Sequence, residues 1–392
     1  MKAIISGGGT GGHIFPAIAI ANALKRRHPE CQILFVGAEG RMEMEKVPAA
    51  GYDIKGLPIA GLQRKLSLSN IIKNLQLPFK ILRSRSMVKG ILQDFQPDIV
   101  VGVGGFASEP TLKTASKMGF PTLLQEQNSY AGLTNKMLAG AARTICVAYD
   151  GMERFFPKEK IVFTGNPIRE NIEHIYDNEV PRRFEGKLSD IKNLRQDHSA
   201  LRTESIRLFE LDPEKKTVLS VGGSLGAGSI NKMISDNLTF FKDNDIQIIW
   251  QTGKGMYDDA VAKVQAMGVD SWVKVHQFIN QMDKAYRAAD VIISRAGAIA
   301  ISELCIVAKP VILIPSPNVA EDHQTKNAMA LVDKGAAIMV RDAECHDNGL
   351  EVLRKLLDNK EQQSSMSKNI GSMGRRRAAD KIVDEIDKIV KK

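Results

Sequence analysis

Short apolar runs alternate along the chain with longer stretches in which apolar residues recur every three or four positions. The runs cover residues 3–5, 33–36, 99–101, 122–124 and 144–147 in the first half, and residues 217–221, 246–250, 291–293 and 311–314 in the second half. Runs without polar alternation are typical of strands buried on both faces of a parallel sheet, and the periodic stretches between them predict the covering helices. The pattern therefore predicts an α/β fold built from repeated βα units.

The two groups of βα units predict two Rossmann-like domains. The segment Gly165-Asn166-Pro167 marks the border, so we expect an N-terminal domain over residues 1–165 and a C-terminal domain over residues 166–374. The last helical pattern, over residues 375–392, is predicted to cross back and complete the N-terminal domain. A charged stretch near residues 176–207 is predicted to be a helical or mobile excursion without chemistry.

Composition narrows the class of protein. Of the 392 residues 43% are hydrophobic, which is enough for two packed cores. The net charge of +9 predicts acidic ligands or an anionic surface, whereas the 6% aromatic content, with no aromatic residues interleaved in basic runs, argues against nucleic acid. The four cysteines are scattered, which indicates neither a zinc site nor disulfides and fits the cytosol. Without a signal peptide or about 18 consecutive apolar residues, we expect a protein that is soluble or lies on a membrane.

The first strand runs into a glycine-rich turn, Gly7-Gly8-Gly9-Thr10-Gly11-Gly12-His13, which a helix follows. Glycines bring backbone N–H groups close to a ligand, and the helix start adds partial positive charge, so the turn is suited to an anion. The imidazole of His13 suggests acid–base chemistry beside that anion. Taken alone, the turn is ambiguous, since it also fits the dinucleotide pattern G-x-G-x-x-G or a tight turn that binds nothing.

Other polar turns also follow strands, at the edge of a parallel sheet where ligands bind. A second glycine turn spans residues 222–228, and the segment 294–298, which contains the small residues 296–298, leads into a helix that carries Glu303. Glu303 is suited to the two hydroxyls of a ribose, or it serves only the helix dipole. Gln324 and Asn128 lie in similar polar turns. Their side chains could bind sugar hydroxyls, or they could only cap the helix that follows. The D-x-D sequence at residues 243–245 precedes a strand, so we interpret it as a turn and expect no metal.

The stretch over residues 54–93 carries eight basic and no acidic residues. Its apolar residues recur at helical spacing, with Pro78 predicted to start a new helical segment. Basic and apolar residues on an amphipathic helix suit an anionic membrane surface, whereas an ordinary core-facing helix with a basic outer side fits the pattern equally well.

Seven blocks together resemble the MurG family, the peptidoglycan N-acetylglucosaminyltransferases of glycosyltransferase family 28. They cover residues 7–16, 104–108, 126–135, 164–169, 222–227, 295–303 and 323–328, in that order along nearly the whole chain except residues 176–207. The resemblance implies a GT-B fold, with two Rossmann-like parallel-sheet domains facing each other across a cleft. It implies inverting, metal-independent transfer of N-acetylglucosamine from UDP-N-acetylglucosamine to the C4 hydroxyl of lipid I, the undecaprenyl-linked acceptor, giving lipid II. It also implies a peripheral protein on the cytoplasmic face of the inner membrane, without cofactors, which favours the lipid interpretation of residues 54–93.

The same resemblance assigns residues. His13 matches the proposed catalytic base, Glu303 the ribose ligand, Gln324 the ligand of the sugar hydroxyls and the backbone near Ile279 the uracil ligand. The complete set of donor-binding positions is Thr10, Gly11, Gly12, Asn128, Arg169, Ser224, Ile279, Ala298, Ile299, Ala300, Ile301, Ser302, Glu303 and Gln324. Two residues depart from the family pattern. Glu109 brings a negative charge near the expected acceptor site, and Ala300 replaces a frequent threonine of the donor loop.

Three other functions fit parts of the sequence. A nucleotide-dependent oxidoreductase would use the G-x-G-x-x-G pattern, and a UDP-N-acetylglucosamine 2-epimerase would share the two-domain fold but need no lipid. A non-catalytic sugar-nucleotide sensor would bind the donor without turnover.

Overall fold

A computed structural model describes residues 1–9, 11–61, 75, 77–176, 199–223, 226–319 and 322–391. The chain forms two compact units, the first made of Met1–Arg169 and Arg375–Lys392 and the second of Glu170–Gly374. Most of the predicted excursion, residues 177–198, lies outside the described residues, whereas residues 199–208 are helical. No helix in the described ranges has the length and apolar character needed to cross a bilayer.

The first unit contains a sheet of seven parallel strands in the order β3-β2-β1-β4-β5-β6-β7. The strands are β1 (Lys2–Ser6), β2 (Gln32–Ala38), β3 (Asp53–Leu57), β4 (Ile99–Gly102), β5 (Thr122–Glu126), β6 (Thr144–Val147) and β7 (Ile161–Phe163). In the centre of the sheet Ile4 lies opposite Leu34 on one side and Val100 on the other. The predicted parallel sheet is therefore confirmed.

Helices cover both faces of this sheet, which explains why its strands are almost uniformly apolar. They are α1 (Gly11–Arg27), α2 (Glu43–Ala49), α3 (Leu77–Phe95), α4 (Ser108–Lys117), α5 (Leu133–Leu138) and, near the C-terminus of the chain, Ala378–Val390. Ile5 packs in a core cluster with Leu24 of α1 and Ile382 of the C-terminal helix. The residue before it, Ile4, packs in a separate cluster on the opposite face of the sheet, together with Leu92 of α3.

The second unit repeats the plan with six parallel strands in the order β10-β9-β8-β11-β12-β13. The strands are β8 (Lys216–Val221), β9 (Ile246–Gln251), β10 (Val273–His276), β11 (Val291–Ser294), β12 (Val311–Leu313) and β13 (Ile338–Met339). Its helices are α6 (Glu170–Glu173), α7 (Gly228–Ser235), α8 (Leu238–Asp243), α9 (Tyr257–Ala266), α10 (Met282–Ala288), α11 (Ala298–Val307), α12 (His323–Val332), α13 (Cys345–Asp358) and α14 (Lys360–Ser372). Trp250 of β9 and Phe241 of α8 are fully buried in its core.

Candidate functional site

In the first unit, two glycine turns meet at the carboxyl ends of the adjacent strands β1 and β4. A Cβ atom added to Gly7 would lie 2.1 Å from Val103 Cγ2, and one added to Gly105 would lie 2.4 Å from the carbonyl oxygen of Gly8. Gly105 also has a φ of +83°, which side chains rarely adopt. Glycine is therefore required here by both space and backbone conformation, because the two turns pack backbone against backbone.

His13 lies in the first turn of α1, and its half-buried ring faces the second of these glycine turns. A Cβ atom on Gly104 would lie 3.0 Å from both Cδ2 and Nε2 of the His13 ring and 3.7 Å from Nδ2 of Asn135. The structure thus brings together three segments of the sequence, the turn after β1, the turn after β4 and the start of α5. A ring nitrogen in this position is suited to exchanging a proton with a bound hydroxyl group.

A buried carboxylate that the sequence analysis missed holds the first glycine turn. Glu43, the first residue of α2, is only 1% exposed. Its Oε2 accepts a hydrogen bond from the N–H of Gly9, and its Oε1 accepts one from the N–H of Ala38, both at 3.0 Å. The only signal available in the sequence was an acidic residue soon after β2, which is indistinguishable from a solvent-exposed residue at a helix start.

A second buried carboxylate, Glu126, organises the loop that carries Asn128. It is 1% exposed at the end of β5. One oxygen accepts hydrogen bonds from the backbone N–H (3.0 Å) and the side-chain Nδ2 (3.2 Å) of Asn128. The other accepts from the N–H of Gly132 (3.0 Å) and from Nδ2 of Asn135 (2.8 Å). Asn128 is therefore held in place by charge-assisted hydrogen bonds, as a ligand-binding side chain requires.

In the second unit, a neutral side chain holds the glycine turn after β8. Gln251, the last residue of β9, is 2% exposed. Its Nε2 donates to the carbonyl oxygen of Gly223 (3.0 Å), and its Oε1 accepts from the N–H of Ile279 (2.9 Å). The N–H of Ile279 is therefore engaged within the unit.

Small residues, Ala296, Gly297 and Ala298, lead into the helix after β11, as expected for a close approach to a ligand. Ala298, Ile299, Ala300, Ile301, Ser302 and Glu303 form the first six residues of α11. Glu303 is 3% exposed, and one of its carboxylate oxygens accepts a hydrogen bond from the hydroxyl of Tyr286 (3.3 Å) on α10. This buried position differs from that of a solvent-exposed carboxylate that only complements a helix dipole.

Arg295 links the segments after β12 and β13 to the start of α7, at the same edge of the second sheet. Its guanidinium donates to the carbonyl oxygen of Ile314 (3.0 Å) after β12 and to Oγ of Ser229 (3.0 Å) on α7, and it forms an ion pair with Asp342. Gln324 is the second residue of α12. Its Oε1 accepts a hydrogen bond from the N–H of Ser316 (2.9 Å), which follows β12. Within the described residues the Nε2 of Gln324 makes no hydrogen bond.

The remaining predicted positions are placed as follows. Thr10 and Ser224 lie outside the described residues. Gly11 and Gly12 open α1, and the half-buried Arg169 is the last residue of the N-terminal part of the first unit. The D-x-D sequence begins at the last residue of α8 and ends directly before β9, at the amino end of that strand. No group of three metal-ligating side chains occurs in the ranges that the structure covers.

The cysteines contribute no reactive thiol to this site, because all four are buried. Burial raises the pKa of the Cys345 thiol to about 11, and it raises the pKa of the Cys146 thiol further still. Thiols of this kind are mostly protonated near neutral pH and are poor nucleophiles.

The basic stretch divides into a strand, an undescribed segment and helix α3. Lys55 lies in β3, residues 62–74 and 76 are outside the described residues, and α3 begins at Leu77 with Pro78 in its first turn. The apolar stripe of α3 then splits in two. Phe79 and Leu82 are 75% and 63% exposed, whereas Val88 and Leu92 are buried in the core.

Glu109, which departs from the family pattern, does not present an unpaired charge. It lies on α4 with a mostly buried side chain and forms an ion pair with Arg85 of α3. The predicted conflict between its charge and an anionic acceptor is therefore reduced, because the guanidinium compensates the carboxylate.

Comparisons with known proteins agree with the two-unit plan. Residues 3–147 match the model of the glycosyltransferase family 28 N-terminal domain, and residues 217–382 match that of the C-terminal domain. The chain is 52% identical, over 100% of its length and 97% of the relative's, to the UDP-N-acetylglucosamine--N-acetylmuramyl-(pentapeptide) pyrophosphoryl-undecaprenol N-acetylglucosamine transferase of Phocaeicola vulgatus. It is 50% identical, over 99% of its length and 98% of the relative's, to the transferase of the same name from Flavobacterium psychrophilum.

Solved structures show the same architecture. The crystal structure of Acinetobacter baumannii MurG matches with a TM-score of 0.71 and 26% identity, covering 99% of both chains. A UDP-N-acetylglucosamine 2-epimerase from Neisseria meningitidis matches with a TM-score of 0.63 over 99% of this chain and 100% of that one. At 15% identity, the epimerase shares the fold alone.

Proposed function

The chain belongs to glycosyltransferase family 28, and from this premise we propose that it transfers N-acetylglucosamine from UDP-N-acetylglucosamine to lipid I, giving lipid II. The observation that carries this proposal is identity of 50% or more, over essentially the full length, to relatives named for that reaction. Such similarity over both units distinguishes the transferase from the epimerase, with which the chain shares only the fold.

We assign the general base to His13. In the proposed step the C4 hydroxyl of the acceptor attacks the anomeric carbon of N-acetylglucosamine, a new C–O bond forms, and the bond to the UDP oxygen breaks with inversion. His13 takes the proton of the attacking hydroxyl. Its place in the first turn of α1, with the ring against the glycine turn after β4, supports this role.

We assign most of the donor site to the carboxyl edge of the second sheet. Glu303 binds the ribose hydroxyls, Gln324 donates from Nε2 to the sugar, and the backbone near Ile279 binds the uracil. In the second unit we assign the residues at the start of α11 and Ser224 to the diphosphate and sugar. The family resemblance also implies donor-binding roles for Thr10, Gly11, Gly12, Asn128 and Arg169 of the first unit. Helix N-termini and Arg169 stabilise the charge that develops on the departing UDP. We propose that no metal is needed, since the D-x-D sequence lies at the opposite, amino end of β9.

We further propose that the protein works at the cytoplasmic face of the inner membrane. The exposed apolar residues at the start of α3, next to Lys80 and Arg83, support contact with an anionic lipid surface. Lipid I is itself anchored in a membrane, so this contact would bring the enzyme to its acceptor.

The decisive assay measures UDP release from UDP-N-acetylglucosamine with and without a lipid I analogue, together with the disaccharide product. A transferase releases UDP only when the acceptor is present and forms one disaccharide per UDP. Epimerisation of the donor without lipid would identify a 2-epimerase, and donor binding without turnover would identify a sensor. Either result would refute the proposed function.

A further inference from the structure

We infer that Glu43 is a positioning residue for the proposed transfer. It acts by holding the turn that leads into His13. The inference rests on the proposed function and adds a residue to it. Glu43 touches neither proposed substrate in this scheme. Its effect passes through the backbone of the first glycine turn to the start of α1.

The first observation is the shape of the turn around the carboxylate. Both oxygens of Glu43 accept hydrogen bonds from backbone N–H groups, those of Gly9 and Ala38. A Cβ atom on Gly8 would lie 2.0 Å from Oε1 of Glu43, and one on Gly37 would lie 2.6 Å from its Cγ. Two glycines thus leave space for this single buried side chain, which locks the turn after β1 to the end of β2.

The second observation is the contrast with the corresponding turn of the second unit. There, Gln251 links the turn after β8 to a neighbouring loop with an uncharged amide. A neutral side chain, at the end of β9, is therefore sufficient to link the corresponding glycine turn of the second unit to the loop after β10. A buried carboxylate is costlier, because it loses hydration, and Glu43 forms no ion pair within the described part of the chain.

The charge has a consequence for the ligand of the first turn. In a dinucleotide-binding turn the N–H groups point at the phosphates of the ligand. Here, the N–H of Gly9 points at the carboxylate of the protein itself. The internal anion stabilises the turn without a phosphate and repels one at that N–H, which favours the second unit as the place of the UDP diphosphate.

The connection from Gly9 to His13 is short in the sequence, since only three residues separate them. The turn after β4 packs against the residue before Gly9, because a Cβ on Gly105 would lie 2.4 Å from the Gly8 carbonyl oxygen. Without the Glu43 carboxylate, the turn is held on one side only. We then expect the imidazole to lose its alignment with the acceptor hydroxyl, and small misalignments of a catalytic group are costly.

The test compares Glu43→Gln with Glu45→Gln in the full-length protein. Gln keeps the size of Glu43 but places an NH₂ group against one of the two N–H donors. Glu45 lies on the same helix with a side chain that is 78% exposed, so its variant controls for loss of charge on α2. For each variant, kcat and donor KM are measured with a lipid I analogue, and donor Kd and the melting curve are measured on the same preparation.

We expect Glu43→Gln to lower kcat per folded molecule about 10- to 100-fold with donor KM and Kd nearly unchanged, and Glu45→Gln to behave like the parent. In a His13→Ala background, Glu43→Gln should cause no further loss, because its effect requires the imidazole. An undiminished kcat would overturn the inference, as would an equal loss in both backgrounds. Glu43→Asp serves if Glu43→Gln does not fold, and failure of both variants to fold would also overturn it. Absence of transfer by the parent would instead refute the proposed function.

Discussion

At the scale of single residues, buried polar side chains determine which backbone and side-chain atoms remain available to a ligand. Glu126 binds both the N–H and the Nδ2 of Asn128, and Gln251 binds the N–H of Ile279. Glu126, Gln251 and Ile279 are buried, and each hydrogen bond lies within one unit, so removing the buried partner would leave a donor or acceptor unsatisfied. Glu126 and Gln251 are thus neighbours of residues in the proposed donor site, and they hold those residues in position.

Substitution of Glu303 tests the donor site. Glu303→Ala should weaken UDP-N-acetylglucosamine binding by about 1–3 kcal/mol, because charged hydrogen bonds to the ribose would be lost. Calorimetry measures the donor Kd directly, and Glu361→Ala, on the exposed first turn of α14 in the same unit, is the matched control. An unchanged Kd in a folded Glu303→Ala variant would remove this carboxylate from the site.

Substitution of His13 tests the base. His13→Ala should lower kcat by about 10²–10⁴, the usual range for loss of a proton acceptor, while donor Kd and melting temperature change little. A histidine that only packed against Gly104 would show the opposite result, a lower melting temperature with kcat per folded molecule preserved. Measuring kcat, Kd and the melting curve on one preparation separates the two cases.

At the scale of secondary-structure elements, helix α3 buries one part of its apolar stripe and exposes the other. Val88 and Leu92 pack in the core of the first unit, as in any helix that covers a sheet. Phe79 and Leu82, about two turns earlier, are exposed. Arg85 lies between the two parts and forms an ion pair with Glu109 of α4. The first turns of α3 are thus the part that suits a membrane surface, whereas Arg85 serves the packing of the helix.

Charge removal on α3 tests the membrane surface. Replacing Lys80 and Arg83 with Gln should weaken binding to anionic vesicles by about 1 kcal/mol for each charge that approaches the surface, with donor affinity unchanged. Arg85 is kept, because its loss would leave Glu109 unpaired. In the control variant, Arg354 and Lys368 of the second unit, which are both exposed, are replaced with Gln. This removes the same total charge. Equal sedimentation of both variants and the parent with the vesicles would contradict the prediction.

At the scale of the whole molecule, each unit is a parallel sheet that gathers its glycine turns and polar loops at the carboxyl ends of its strands. The first unit is completed by the last helix of the chain, Ala378–Val390. Oδ1 of Asp387 in this helix lies 2.8 Å from Nε2 of His28, the residue that follows α1. The chain therefore leaves the first unit and returns to it. In the second unit the D-x-D sequence lies at the opposite edge from the proposed donor site.

Chelation tests the metal independence that follows from this placement. Transfer to a lipid I analogue should survive EDTA, because the charge on the departing UDP is assigned to helix N-termini and Arg169. The control is the same assay with added Mg²⁺, which should leave kcat unchanged. Loss of turnover on chelation, restored by Mg²⁺ or Mn²⁺, would show that the assigned charge stabilisation is incomplete.

The sequence by itself determined the fold class, because strands covered on both faces must be apolar throughout and glycine turns must follow them. It also placed His13, Glu303 and Gln324 at the ends of strands or the starts of helices, since these positions depend on neighbours along the chain. Only the tertiary structure decided that Glu43 holds Gly9, 34 residues away, that Arg85 pairs with Glu109, and that the apolar stripe of α3 is half exposed. The physical reason is that a residue's depth and its distant partners depend on how helices pack onto the sheet, and a polar or apolar residue at a given spacing is the same in sequence whether that packing buries or exposes it.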